Sequence, residues 1–189
     1  MIQSREDYLY YLERDKNSLC ISRKHPRFWT DEIWRFQILL RKREYLTNCK
    51  HGLFYKICSA YYHYKFKKLS LQLGFSIPIN VFGPGLAIVH YGTIVVAEGA
   101  KIGANCRIHE GVTIGATNGS NDAAIIGDNV FIASGAKIIG NVRISDNVAI
   151  AANAVVVNDV ISDSGCTVGG IPAKIISKNT STANIFYLK

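Results

Sequence analysis

Large aliphatic residues recur every six positions through the second half of the chain. Starting at Val96, the six-residue step meets Ile or Val at eleven of thirteen positions and ends at Val168. Mostly small apolar residues stand two positions earlier in each unit, from Ile94 to Cys166. An α-helix, with 3.6 residues per turn, would scatter these side chains around its circumference. Coils of short strands would stack them in two inward-facing columns, so the pattern predicts a β-solenoid.

Both columns are interrupted at the same place. Within ATNGSNDAA (116–124), Asn118 occupies the small-residue column and Ser120 the large-residue column, and the register returns unchanged at Ile126. One whole unit is therefore replaced by a polar segment, which predicts a loop leaving the coil. The failure at Ser162 predicts a second irregular turn near the end of the solenoid.

The first 73 residues lack the six-residue period and carry helix signals instead. Ser4, followed by acidic residues, predicts the start of one helix, and Thr30 predicts the start of a second. A third is expected from Leu53 to about Leu73, ended by Gly74. We therefore divide the chain into a helical N-terminal region, the solenoid and a tail, at residues 1–73, 74–180 and 181–189.

The net charge of +8 is concentrated in the helical region. Residues 1–73 hold 15 Lys and Arg against 7 Asp and Glu, whereas residues 74–189 hold 7 of each. This excess suits a polyanionic polymer, a nucleotide-linked substrate or an acidic membrane surface, although solvated helix faces would look the same. No apolar run approaches the roughly 18 residues of a membrane span, and the N-terminus is charged, so we expect a cytoplasmic protein.

The five cysteines are odd in number and widely spread, with no CxxC pair. This arrangement favours neither a disulfide framework nor a zinc site, and we expect no bound metal. Cys106 and Cys166 occupy small apolar positions of the repeat, where cysteine acts as a compact hydrophobe.

The hexapeptide run, GPGLAIVHYGTIVV (83–96) and GGIPAKII (169–176) resemble the left-handed parallel β-helix acyltransferases, most closely the serine acetyltransferase branch. The resemblance implies a mainly β fold, a left-handed parallel β-helix preceded here by an α-helical region. It also implies a homotrimer with active sites between subunits and acetyl-CoA as the donor. We expect an acetyl-CoA-dependent O-acetyltransferase with no nucleic-acid partner.

The same resemblance assigns the role of general base to His90. Imidazole suits this role because its pKa of about 6.5 lets it accept a hydroxyl proton near neutral pH. His109 is the competing histidine of the solenoid, at a position after Ile108 that the repeat usually fills with Gly or Ala.

The residues around His90 depart from the serine acetyltransferase pattern. Ser76 stands where that branch has the Asp that pairs with the catalytic His, and Val89 stands where it has a second Asp. The loop at 116–124 also lacks the RHP-like element that contacts substrate. The orienting group of His90 is therefore left open among Ser76, a backbone carbonyl, Glu98 and Glu110, or the base acts unassisted.

Those departures remove both the carboxylate expected near an amino-acid ammonium and the cation expected near its carboxylate, and they lead us to expect a sugar acceptor. We predict O-acetylation of a bacterial surface polysaccharide, such as capsule, O-antigen or exopolysaccharide, or of its precursor. The basic, aromatic YYHYKFKK (61–68) would suit an anionic or lipid-linked glycan at the inner membrane face. Serine O-acetylation is the alternative activity, and a non-catalytic β-helix scaffold is the alternative of another class.

Acetyl-CoA is expected to lie in a groove between coils, where small side chains let the pantetheine approach the backbone. Lys174 would meet the nucleotide phosphates as a point charge. The positions that we assign to this donor site are Gly115, Ala116, Thr117, Ala133, Ser134, Ala151 and Lys174.

Overall fold

The computed structural model describes residues 1–117, 119 and 121–185. Its three helices are α1 (Arg5–Ser18), α2 (Glu32–Cys49) and α3 (Leu53–Leu73). The Ser4 hydroxyl accepts a hydrogen bond from the Asp7 N–H at 2.9 Å and so caps α1, as predicted. Gly74 ends α3 in the left-handed conformation that glycine adopts without strain, also as predicted.

Short strands follow, and they build three sheets. Their bounds are β1 (Phe75–Ser76), β2 (Ala87–Ile88), β3 (Ile94–Val96), β4 (Lys101–Ile102), β5 (Arg107–Ile108), β6 (Thr113–Gly115), β7 (Ile125–Ile126), β8 (Phe131–Ile132), β9 (Lys137–Ile139), β10 (Arg143–Ile144), β11 (Ala149–Ile150), β12 (Val155–Val156), β13 (Thr167–Gly170) and β14 (Ala173–Ser177). The sheet orders are β1-β3-β6-β9-β12, β10-β7-β4 and β14-β13-β11-β8-β5-β2. Within the described residues all pairs are parallel except β13 with β14. The predicted left-handed parallel β-helix is confirmed.

The two predicted columns form the core of the β-helix. Ile108, Ile132 and Ile150 are each 0% exposed and lie in register on successive coils. Burying one such side chain contributes roughly 1.5–3 kcal/mol relative to leaving it exposed. Stacking equivalent residues coil upon coil therefore accounts for most of the apolar burial here.

Asparagines line one corner of the coil and were not singled out from the sequence. Asn105, Asn129 and Asn147 have φ near +60°, a left-handed conformation that asparagine tolerates better than most residues. The Asn105 amide donates to the Asn129 carbonyl oxygen at 2.8 Å, and the Asn129 amide donates to that of Asn147 at 3.1 Å. This ladder joins three successive turns.

One coil is longer than the next. Ile108 pairs with Ile132, 24 positions later, whereas Ile132 pairs with Ile150, 18 positions later. The additional residues fall between β6 and β7, where the sequence predicts a loop. Asn118 and Ser120, at the centre of that predicted loop, lie outside the described residues.

A buried charge cluster fixes the helices to the first coil. Arg41 on α2 is 0% exposed and forms ion pairs with Asp15 at 2.8 Å and Glu44 at 3.0 Å. Its guanidinium also donates to the backbone carbonyls of Phe82 at 2.9 Å and Gly83 at 2.7 Å. Burial opposes the charge of Arg41, but the two carboxylates raise its pKa above the ordinary value.

Gln37, also on α2, holds the segment that leads into the candidate site. Its side-chain amide donates to the Leu86 carbonyl at 2.7 Å, and its oxygen accepts from the Ile88 N–H at 3.2 Å. The side chain thus takes the place of a neighbouring strand at the first coil. Among the described residues, no helix is both long and apolar enough to cross a membrane.

Candidate functional site

His90 lies at a corner of the first coil, two residues beyond the end of β2. Gln37 holds the preceding strand, and the Val89 N–H donates to the Ile108 carbonyl on the next coil at 3.2 Å. The His90 side chain is exposed and therefore open to a ligand from solution. The helices and the coil together fix the position of its backbone.

The same corner of the next coil brings His109 and Glu110 to His90. One polar atom from each of the three side chains lies within 4.8 Å of the other two. The rings of His90 and His109 meet edge to face, with centroids 5.6 Å apart. Gly92 approaches Glu110 so closely that a Cβ at position 92 would lie 3.1 Å from the Glu110 Cβ.

Ser134, on the third coil, connects His109 and Glu110. Its hydroxyl oxygen lies 3.5 Å from Nδ1 of His109, and a hydrogen bond from Ser134 lowers the pKa of Glu110. An ionised carboxylate can only accept hydrogen bonds, whereas a neutral imidazole accepts at one ring nitrogen and donates at the other.

The surroundings of Glu110 and His109 fix the charge of each side chain. The bonds from Ser134 and from its own backbone N–H lower the pKa of Glu110, and the two histidines add to the effect. Burial, with Arg107 and His90, lowers the pKa of His109 against the opposing effect of Glu110. At neutral pH, Glu110 is therefore a carboxylate and His109 a neutral imidazole.

Two polar atoms of this cluster are unused. Nε2 of His109 and Oε2 of Glu110 are buried and have no hydrogen-bond partner among the described residues. Leaving such atoms unpaired typically costs about 1–3 kcal/mol each. Oε2 of the ionised Glu110 can only accept, so the cluster suits a ligand that donates hydrogen bonds or carries positive charge. Two imidazoles and a carboxylate are also a donor set that can bind zinc.

The other candidate orienting residues lie on different elements. Ser76 lies on β1 and pairs with Val95 of β3. Glu98 is exposed in the turn after β3. Among the histidine and carboxylate candidates, His109 and Glu110 are the ones grouped with His90. Their pairing depends on coil register, which the sequence signal did not resolve.

The positions assigned to the donor fall into separate groups. Gly115 ends β6 and accepts from the Gly140 N–H at 2.8 Å, with the exposed Ala116 and Thr117 following it. Ala133 and Ala151 follow β8 and β11, strands of another sheet. Lys174 is exposed on β14, and Ser134 lies beside His109.

A cavity of about 780 Å³ opens beside the residue that follows His90. Tyr91 contributes to its lining, as do Arg35 of α2 and Tyr64, Lys65 and Lys68 of α3. The basic, aromatic segment predicted to contact an acceptor therefore faces the side of the molecule that carries His90.

Sequence comparison relates this chain to hexapeptide transferases. Residues 123–158 match the family described as "Bacterial transferase hexapeptide (six repeats)". Over 99 residues, 51% of this chain, it is 46% identical to the serine acetyltransferase of Staphylococcus xylosus and 40% identical to that of Synechococcus elongatus. The aligned segment covers 45% and 40% of those proteins, so the chain matches less than half the length of these curated relatives.

Solved structures show the same relationship across more of the chain. The serine acetyltransferase of Brucella abortus matches with a TM-score of 0.69 at 27% identity, covering 94% of this chain and 72% of that one. The Neisseria gonorrhoeae serine acetyltransferase in complex with serine gives 0.68 at 26%, covering 92% and 71%. A serine acetyltransferase in complex with CoA gives 0.70 at 25%, covering 92% and 72%. The β-helix is thus similar in sequence to hexapeptide transferases, and in sequence and fold to serine acetyltransferases.

These findings correct the predicted acceptor. The expectation of a polysaccharide O-acetyltransferase acting on a glycan is wrong, because both the sequence and the fold are similar to serine acetyltransferases. That expectation rested on the missing carboxylate at Val89 and the missing RHP-like element of the loop. The structure brings the carboxylate of Glu110 to His90 from the following coil, so the absence of an acid at Val89 did not settle the charge of the site.

Proposed function

We propose that this chain transfers an acetyl group from acetyl-CoA to the hydroxyl of serine, with His90 as the general base. The observation that carries the proposal is the convergence of His90 with His109 and Glu110 at one corner of the coil. The similarity to serine acetyltransferases, including structures with CoA and with serine, supports the choice of substrates.

In the proposed reaction, the serine hydroxyl loses its proton to His90 while its oxygen attacks the thioester carbonyl of acetyl-CoA. The tetrahedral intermediate then collapses and expels the CoA thiolate, which takes the proton from the imidazolium. O-acetylserine and CoA leave, and His90 returns to its neutral form. A positioned general base of this kind contributes typically about 10²–10⁴-fold to the rate.

We also propose that the active protein is a homotrimer. His90 is exposed in the single chain. Excluding water from an active site strengthens the electrostatic interactions that stabilise the transition state, so the reaction would gain from a cover over His90. A neighbouring subunit seated over this corner would supply that cover. Light scattering during size-exclusion chromatography should then give three times the 20.9 kDa mass of one chain, and a monomeric mass at full activity would contradict this assembly.

The test of the activity is a thiol-release assay with acetyl-CoA and L-serine. We expect His90→Ala to lower kcat by about 10²–10⁴-fold with little change in the KM for acetyl-CoA. His25→Ala, at an exposed position between α1 and α2, is the matched control and should retain full activity. Turnover by His90→Ala at the parent rate would refute the proposal. Absence of any turnover of serine by the parent would refute it as well, and would favour a non-catalytic scaffold.

A further inference from the structure

The buried acceptors beside His90 point to the chemistry of the group that occupies them. We propose that Glu110 and His109 form a subsite for the ammonium group of the acceptor, which makes the protein selective for alcohols with an amine on the neighbouring carbon. This inference rests on the proposed function, because it assigns one end of the same acceptor molecule.

Two unpartnered atoms limit what can bind here. Oε2 of Glu110 is buried, carries no proton and has no partner among the described residues, so it needs a hydrogen-bond donor. Nε2 of His109 is buried and unpartnered in the same way, and a neutral imidazole presents it as an acceptor when its proton is on Nδ1. A neutral hydroxyl could satisfy one of these atoms, whereas an ammonium group has three donors and can satisfy both.

Charge favours the ammonium further. Glu110 is ionised, and hydrogen bonds between charged groups are roughly twice as strong as neutral ones. Ser76 and Val89 supply no negative charge. Glu110 is therefore the carboxylate that the described part of the chain places beside His90.

The distances fit a single small molecule. The amine nitrogen and hydroxyl oxygen of a vicinal amino alcohol lie roughly 3 Å apart, given ordinary bond lengths. One polar atom each of His90, His109 and Glu110 lies within 4.8 Å of the other two. An ammonium held by Glu110 and His109 thus leaves the neighbouring hydroxyl within reach of His90.

The test compares Glu110→Gln with the parent on acceptors that differ in one group. L-serine carries both amine and hydroxyl, whereas 3-hydroxypropionate lacks the amine. We expect Glu110→Gln to lower kcat/KM for L-serine by roughly 10- to 100-fold, mainly through KM, and to lower that for 3-hydroxypropionate by a much smaller factor. Glu110→Asp should recover part of the loss, and Glu98→Gln, at an exposed turn, should have no effect.

Competitive inhibition gives a measurement that needs no turnover of the amine-free compound. L-alanine keeps the ammonium and propionate lacks it. In Glu110→Gln, the inhibition constant of L-alanine should rise by the same factor as the KM for serine, while that of propionate stays constant. Both inhibitors are measured against L-serine at saturating acetyl-CoA.

The possible failures are distinguishable. If the parent acetylates serine and Glu110→Gln keeps its preference for amines, this inference is overturned and the proposed function stands. An equal loss with both acceptors would make Glu110 a positioning residue for His90 and would also overturn it. If a chelator abolishes activity and zinc restores it, a metal ion occupies the cluster, and the inference is again overturned. If the parent acetylates no hydroxyl compound, the proposed function itself fails.

Discussion

Replacing Arg41 with Met tests how the helical region is joined to the β-helix. The substitution keeps a long apolar stem but removes a guanidinium that is fully buried between Asp15 and Glu44. Both carboxylates would then lie buried without their cation. The backbone carbonyls of Phe82 and Gly83 would lose their donor as well.

The structure allows the magnitude to be worked out. Removing one partner of a buried ion pair typically costs about 3–5 kcal/mol. Asp15 retains hydrogen bonds from the N–H groups of Gly85 at 2.8 Å and Leu86 at 2.9 Å, which reduces its share of the cost. The two carbonyls that lose a donor add to it, so we expect a loss of about 4 kcal/mol. This corresponds to a fall in Tm of roughly 8–16 °C.

The assay is equilibrium urea unfolding at fixed protein concentration, followed by tryptophan fluorescence. Trp34 lies on α2 and is 5% exposed, so its emission should shift when this helix leaves the β-helix. Arg5→Met, at an exposed position of α1, is the control and should change the free energy of unfolding by less than about 0.5 kcal/mol.

A loss below about 1 kcal/mol in Arg41→Met would refute this reasoning. The triple variant Asp15→Asn, Arg41→Met, Glu44→Gln removes the uncompensated charges along with the cation. It should therefore be more stable than Arg41→Met alone, since most of the cost comes from the buried carboxylates left without a cation. A triple variant less stable than Arg41→Met would contradict the electrostatic explanation.

Three further predictions concern the coil. Ile132→Ala removes a fully buried side chain of the column and should lower the free energy of unfolding in urea by about 2–5 kcal/mol. Ile125→Ala, at a side chain that is 41% exposed, should lower it clearly less. Equal losses in the two variants would refute the inward-facing column. Burial raises the pKa of Cys106 to about 12, so iodoacetamide at pH 8 should label the exposed Cys20 first by mass spectrometry, and rapid labelling of Cys106 in the folded protein would contradict this. Because the pKa of Glu110 is lowered on folding, its contribution to stability is present above its unfolded pKa of about 4.3 and is lost as the pH falls through the lower folded pKa. Glu110→Gln should remove this acid dependence between pH 3 and 7, and an unchanged slope would refute it.

The β-helix was predictable because its signal is local and repeats. Each unit places Ile or Val and a small residue inward, so the six-residue period can be recognised throughout the second half of the sequence. The helix ends at Ser4 and Gly74 were also predictable, since capping depends on residues within one turn.

The site was only partly predictable. His90 stood out by its resemblance to a known motif, but Ser76, Glu98, His109 and Glu110 could not be ranked as its neighbours. Their ranking depends on which coil corners stack, and the coils differ in length, with 20 positions between Ile88 and Ile108 and 18 between Ile132 and Ile150.

The amino-acid sequence by itself determined the stacked coils, the helical region before them and the histidine at their first corner. Tertiary structure alone decided that Glu110 lies beside that histidine and that Arg41 is buried between two acids on the helices. The physical reason is the range of the interactions. Apolar periodicity is set by neighbours a few residues apart, whereas a charge is placed by partners on other coils and helices, whose sequence positions resemble those of ordinary surface residues.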